Sequence, residues 1–541
     1  MVKTWKLLGI LLVTPALLGA DCGGGSGSGG SPARFTIRSP DPRCVSLPER
    51  FPPGFDFIPG SPGRVLAANF QGPSALIPFD VEREPIGVAP GASDLVIPDD
   101  SDGDGSPESV LRPKIDDVFG VAADLALVTM SDREQVFFAH PDGVVRSFAV
   151  SAPAALEPWR YARLPAPGEP AAQRTALSTW ACLEAPPAAE TSLGEPLEAV
   201  LRRFCNPERV SFLTSLTAGA ALQAGRLFVP VSNRDGSSPA ESPRFLPGAV
   251  LVFDIDLASD PPRVAPSADA PAIFTSGYNP TEATAYTTPS GRELLLVSVS
   301  GSFAIAPDDP STDAIEAAQI PLTEGAIDVI DARALRLVAR YPLADANPSF
   351  RRLAIDPSGR VALAGDVARR QVVAIDLAPL ALLPAADALA EGDVIALDGS
   401  TPGWDNAVVF DGRSPLPVPA LAGGAPRASC PGSVQSVAFS SAGDRAFALE
   451  DCDGALVTLD VDVSGTPSVT ELRERISVLR VEPLVAARRV ESLGRPQQPD
   501  SLKVRPGVPG VDFSGPDIFF TVGEPEGLLC GARVDSLPPL Q

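Results

Sequence analysis

The stretch RLAIDPSGRVALAGDVARRQVVAID, residues 352–376, decides how the whole chain is read. Three short apolar runs, LAID, VALAG and VVAID, are divided by Pro357-Ser358-Gly359 and by a polar step from Asp366 to Arg370. Runs of this length, rich in Val, Ile, Leu and Ala and bounded by Pro, Gly, Asp and Ser, are strands joined by tight turns. Its fold meaning depends on whether it is repeated.

It is repeated. GRVALAGDVARRQVVAID runs from Gly359 to Asp376, GDRAFALEDCDGALVTLD from Gly443 to Asp460, and GRVLAANFQGPSALIPFD from Gly63 to Asp80, with an identical glycine-to-aspartate separation. Each is preceded by one more short run: RLAID, SVAFS or FDFIP. Looser copies begin near residues 117, 222, 286 and 510, making seven candidate units from about residue 53 onward. A three- or four-stranded antiparallel unit cannot bury both faces alone, whereas such units packed face to face around an axis can. The expected fold is therefore all-β: a β-propeller over 34–541, with seven blades and six or eight as the alternatives. Residues 391–432 and 471–500 contain strand-like runs assigned to no unit. A repeat structure also accommodates 541 residues in one domain.

Helical periodicity is rare. GEPLEAVLRRFC (194–205) places Leu197, Val200, Leu201 and Phe204 on one face, with Pro196 near the start. It lies in a Pro/Ala-rich stretch, 152–207, that matches no blade and reads as a partly helical insertion on one rim.

The repeat resembles the bacterial propeller repeats of surface-layer proteins and of lactonase-like propellers. Pro357-Ser358-Gly359 stands where their Ser-Pro-Asp-Gly turn falls, and Val329-Ile330-Asp331 and Ala374-Ile375-Asp376 match their Val-Ile-Asp strand ends. The Tyr-Val-x-Asn core of those repeats is degenerate here, as in LFVPVSN. The resemblance implies the fold more than any activity.

The N-terminus carries Lys3 and Lys6, an apolar run from Leu7 to Leu18, then Cys22 and a Gly/Ser stretch. The run is too short to span a bilayer as a helix but suits an export signal over 1–20, with 21–33 as a flexible tether. The segment resembles a bacterial lipoprotein signal, which implies lipid on Cys22. Asp21 departs from the small residue expected there, and cleavage after Ala20 is the alternative. The expected location is the bacterial cell envelope, as an outer-membrane lipoprotein, or otherwise a soluble periplasmic or secreted protein.

With Cys22 lipidated, Cys44, Cys182, Cys205, Cys430, Cys452 and Cys530 remain, an even number suited to an oxidising compartment. Proximity pairs Cys182 with Cys205 and Cys430 with Cys452, leaving Cys44 with Cys530 near the two chain ends. That last bridge would lock ring closure, with residues 34–39 supplying the closing strand.

The net charge of −24 repels nucleic acid and anionic membrane surfaces, so membrane association would run only through the lipid. PDDSDGDGSPES (98–109) alternates Asp100, Asp102 and Asp104, with Gly105 sixth and Glu108 ninth. It resembles the start of an EF-hand-like or thrombospondin-type calcium loop, with Leu111 where a bidentate Glu would stand. Calcium there would act as structural glue; the alternative is a solvated acidic linker. His140 is the only histidine, and one histidine cannot build a multi-histidine metal site. No GxSxG elbow or phosphate-binding glycine loop occurs, so no catalytic residue is assigned. The repeated strand-end aspartates Asp80, Asp376 and Asp460 are expected to cap turns. The expected function is a non-catalytic platform for an envelope protein or polymer. The alternative is a lactonase-like or other hydrolase with Asp, Glu, Asn and Arg converging in the central channel. Oligomeric state is not legible.

Overall fold

A computed structural model describes residues 43–47, 54–68, 76–83, 86–88, 98–99, 109–110, 115–122, 125–130, 135–139, 190–196, 199, 213–214, 219–232, 234–235, 238, 243–256, 258, 263–270, 272–305, 319–348, 353–419, 433–450, 454–483, 499–506, 517–522 and 527–532. Among them are seven sheets of three to five strands, antiparallel except for one short edge pairing, and three two-stranded ladders.

In chain order, sheet I comprises Phe55–Ile58, Ser61–Ala68, Leu76–Asp80 and Gly87–Val88, and sheet II comprises Ile115–Ala122, Leu125–Met130 and Gln135–Ala139. Sheet III runs Ala221–Gln223, Arg226–Val231 and Pro247–Asp256, with Arg263–Pro266 and Ala272–Tyr278 both outside it. Sheet IV holds Pro280–Thr287, Glu293–Val299, Gly325–Asp331 and Arg336–Leu343. Sheet V holds Ala354–Ile355, Val361–Gly365 and Gln371–Asp376, edged by Val408–Phe410 and Leu416–Pro417. Sheet VI holds Val434–Phe439, Arg445–Glu450, Ala455–Val461 and Ile476–Pro483. Sheet VII takes Pro499–Val504, Ile518–Val522 and Gly527–Ala532, and its outer strand is Arg43–Leu47 from the start of the chain.

These sheets fall one for one on the seven sequence units. The strands are apolar on both faces because each face meets a different sheet. In Glu293–Val299, Leu294 and Leu296 pack toward sheet V, while Leu295, Val297 and Val299 pack toward sheet III. In Val361–Gly365, Val361 and Leu363 face sheet VI, and Ala362 and Ala364 face sheet IV. In Ile518–Val522, Ile518 and Phe520 face sheet VI, and Phe519 faces sheet I. Side chains alternate along a strand, so one continuous apolar run serves two interfaces. Phe447, Phe519 and Phe520 are fully buried, each contributing about 1.5–3 kcal/mol relative to exposure.

The same packing closes the circle. Phe519 and Leu529 of sheet VII share a core with Phe55, Phe57 and Phe79 of sheet I, and the Phe57 and Phe519 rings meet edge to face at 5.5 Å. Among the described residues, sheets I and II, III and IV, IV and V, V and VI, VI and VII, and VII and I pack together, and the first described strand completes the last sheet, as in a ring without a long exposed edge. The chain is a β-propeller.

Two details differ from the sequence expectations. The closing strand is Arg43–Leu47 rather than 34–39, which lie outside the described residues. Gly63 is not a turn glycine: the turn is at Gly60 (φ 76°), and Gly63 lies within Ser61–Ala68. Arg64 consequently stands opposite Asp80, whereas Val361 and Arg445 stand opposite Asp376 and Asp460. The first copy is one residue out of phase.

The connections on one face of the ring, here the first face, join inner to second strands and third to outer strands. Two of these reach back over the preceding sheet. Residues 378–407 of sheet V cross sheet IV, where Ile395–Ala396 adds a parallel edge strand to Arg336–Leu343. The short helix Val469–Arg475 of sheet VI lies against Val408–Phe410, and Arg473 donates to the Val408 and Val409 carbonyls. Ser468 and Glu471 form its capping box, a signal present in the sequence at the edge of the unassigned 471–500 region. Of the 194–205 helix expectation, Gly194–Pro196 and Ala199 alone are described; most of the 152–207 insertion lies outside the described residues.

Candidate functional site: an inner-strand cavity

Three inner strands, Ala354–Ile355, Val434–Phe439 and Pro499–Val504, wall a cavity of about 440 Å³. Each is the edge strand of its sheet, so one side of its backbone faces the axis. Apolar lining comes from Leu353, Ile355, Val437, Phe439, Leu502 and Val504, and the hydroxyls from Ser436, Ser440, Ser441 and Ser501. Lys503 and Arg505 supply positive charge, and the described lining contains no carboxylate and no histidine.

The walls are fixed by close approaches. The Leu502 amide donates to Ser436 Oγ at 3.2 Å, tying sheet VII to sheet VI. A Cβ on Gly365 would stand 1.9 Å from the Val434 carbonyl oxygen, so strand Val361–Gly365 meets the next sheet through backbone alone. Gly443 (φ 77°) brings its turn against Pro357. Arg505 is 4% exposed; its guanidinium stacks over Phe519 at 5.4 Å and pairs with Glu82 of sheet I at 3.7 Å. Burial pulls the Arg505 pKa down, opposed by Glu82 and Asp517.

Toward the opposite, second face lies a polar network between sheets IV and V. Asp366 is fully buried and accepts from the Asn347 and Ala368 amides and from Gln371 Nε2 at 2.7 Å. Asn347 Nδ2 donates to the Ser300 carbonyl at 2.7 Å and to the Thr323 carbonyl at 3.0 Å. These groups satisfy one another, which marks them as a structural clamp.

The strand-end aspartates do cap turns, with one displacement. Asp80 Oδ1 accepts from the Glu82 and Arg83 amides, and Asp376 Oδ1 from the Ala378 amide. In sheet VI the cap is Asp462, which accepts from the Ser464 amide, rather than Asp460. The caps also form ion pairs: Arg360 with Asp376 at 2.9 Å and Arg292 with Asp331 at 2.8 Å. The same guanidiniums reach neighbouring connections, Arg360 at the Pro467 carbonyl and Arg292 at the Leu383 and Pro384 carbonyls.

Asp328, fully buried in sheet IV, accepts from the Ser276 amide at 2.7 Å and the Ser276 hydroxyl at 2.6 Å. Burial pushes its carboxyl up to about 6, against the lowering effect of Ser276 and Arg340. A folded-state pKa above the unfolded value means stability is complete below about pH 4 and is lost as pH rises through about 6. Two pH units correspond to roughly 3 kcal/mol. Asp328→Asn should flatten the stability profile between pH 4 and 7, measured by urea unfolding; an unchanged slope would contradict this account.

The structure bonds Cys44 to Cys530, the pairing expected from the sequence. Cys22, Cys182, Cys205, Cys430, Cys452 and His140 lie outside the described residues, as do Asp100, Asp102, Asp104 and Glu108. The acidic stretch is bracketed by a described hairpin in which Pro98–Asp99 pairs with Ser109–Val110. Among the described residues no group of three or more His, Cys, Asp or Glu could hold a metal, and no helix is long and apolar enough to cross a membrane. The cavity residues were not singled out by sequence. Lys503, one of four lysines, was their single compositional signal.

No family model matches this chain, and no curated protein does. Among solved structures, the chain is similar to Kuenenia stuttgartiensis hydrazine synthase, with TM-score 0.43 and 11% identity over 88% of this chain and 94% of that one. It is also similar to the Myceliophteria thermophila Cps50 (Swd1) β-propeller domain, with TM-score 0.41 and 12% identity over 90% and 98%. The Dos1 propeller gives TM-score 0.41 and 11% identity over 91% and 94%. At scores this low none bears on site or activity, and the fold rests on the sheet order and packing.

Proposed function

We propose that this protein is an exported, lipid-anchored β-propeller of the bacterial envelope that serves as a non-catalytic binding platform for an envelope protein or polymer. The observation that carries the reading is the inner-strand cavity. Its strand edges, the Ser441 hydroxyl and Lys503 at its wall offer hydrogen bonds and positive charge to a ligand. The hydrolase reading calls for Asp, Glu, Asn and Arg converging in the channel, and of these types Arg505 is the one present in the described lining. The Lys3–Leu18 signal pattern, Cys22 and the Cys44–Cys530 bridge support export into an oxidising compartment.

The test is in-cell photo-cross-linking from a probe amino acid at Ser441, in the full chain. A discrete adduct in the membrane fraction is expected, weakened at least several-fold by Lys503→Glu and released to the soluble fraction by Cys22→Ser. An adduct pattern identical to that from a probe at Leu382, outside the cavity, would reject the cavity as the binding site. Turnover of lactones by the purified protein, lost in Lys503→Glu, would instead favour the hydrolase.

A further inference from the structure

We infer that the second face of the ring carries a docking surface for a basic, amphipathic segment of a partner protein. It stands apart from the inner-strand cavity and needs no ligand there. Among the described residues, Leu193, Ile320 and Leu322 are 42%, 49% and 47% exposed. All three belong to two segments that the repeated sheets do not require. Leu193 is in the turn Glu190–Pro196; Ile320 is in the hairpin of Phe303–Ile305 with Gln319–Pro321, and Leu322 follows it. In sheet V the equivalent connection is a tight turn from Asp366 to Gln371, so the hairpin in sheet IV is an elaboration.

The two segments meet on a rigid base. The Phe245 and Phe303 rings lie 5.7 Å apart. The Ser192 amide donates to the Phe245 carbonyl, and the Phe245 amide donates back to Ser192 Oγ, both at 2.9 Å. Tyr278 Oη donates to the Glu190 carbonyl at 3.0 Å, and the Leu322 amide to the Ser302 carbonyl at 2.8 Å. Exposed aliphatic side chains on a hydrogen-bonded base lose little entropy on binding.

Charge selects the occupant. Glu190 and Glu324 are exposed beside the aliphatic residues, while Glu195 is held by Arg244 at 2.7 Å. A net charge of −24 repels a second copy and anionic lipid alike, whereas a cationic partner is steered toward the face.

The test uses two synthetic peptides that share one leucine face, one with a lysine polar face and one with a glutamate polar face, followed by fluorescence anisotropy. The lysine peptide should bind the native protein, about tenfold more weakly after Ile320→Ser/Leu322→Ser, since each side chain forfeits part of its burial. Glu190→Lys/Glu324→Lys should weaken it several-fold and lower its salt dependence. Leu382→Ser, at the most exposed leucine among the described residues and remote from this face, should leave binding unchanged. Binding unaffected by Ile320→Ser/Leu322→Ser, or equal affinity for the glutamate peptide, would overturn the proposal. So would self-association in sedimentation that the same double variant abolishes, which would make a second copy the occupant.

Discussion

The Cys44→Ser/Cys530→Ser double variant is expected to lose about 2–5 kcal/mol of stability, with a chain-entropy ceiling near 6 kcal/mol for so long a loop. The two cysteines lie 486 residues apart in sequence and directly opposite one another in the outer pair of sheet VII. Cys530 is fully buried in the core shared with sheet VI, where Phe447, Leu502 and Phe520 surround it. Without the bridge, only backbone bonds and a few side chains hold Arg43–Leu47 to Gly527–Ala532. Loss of that strand exposes the edge of Gly527–Ala532 and opens the ring where it is joined. The bridge sits one residue inside the end at which the upstream chain enters, so fraying from the N-terminus meets it at once. Thermal unfolding with and without reductant measures the effect, and coincident midpoints would dismiss the bridge as a stabilising device.

Asp366→Ala is expected to cost about 3 kcal/mol or more, because it strands several buried donors together. The Asn347 and Ala368 amides and Gln371 Nε2 all donate to this carboxylate, and Arg369 lies 3.7 Å away. Alanine removes every acceptor and leaves the guanidinium without its nearest counter-charge. Asp366→Asn keeps one acceptor oxygen and should be milder. Burial raises the Asp366 carboxyl pKa, partly offset by those hydrogen bonds. Urea unfolding combined with amide exchange at Asn347 and Ala368 separates the outcomes. Equal stability of the alanine and asparagine variants would show that the network contributes nothing specific.

Much of the fold was legible because the repeat expresses itself locally. An apolar run such as ELLLVSV (293–299) reads as a strand on its own, and its lack of polar alternation already implies two buried faces. The cysteine arithmetic also reached the closing bridge, although not the residues of the closing strand. Arg43–Leu47 carries only a short, weakly apolar pattern, RCVSL, and becomes a strand by pairing with Gly527–Ala532. The one-residue phase shift at Gly63 escaped because glycine spacing does not report which residues stand opposite in a hairpin. The helix Val469–Arg475 was missed despite its Ser468–Glu471 capping box, since seven residues are too few for a clear helical period.

The candidate sites were far less legible. Ile355, Ser436 and Lys503 lie in three different repeats, and no local signal ties them together. The exposed Leu193, Ile320 and Leu322 look in sequence like ordinary apolar residues beside turns. By itself the sequence determined the strand content, the repeat, the acidic charge and the closing cysteine pair, all carried by neighbouring residues or by composition. The tertiary structure decided which strand closes the ring, which inner edges share a cavity and which aliphatic side chains stay in water. Those outcomes depend on sheets distant in sequence packing face to face, and side-chain alternation sets two faces on a strand without naming the neighbour that each will meet.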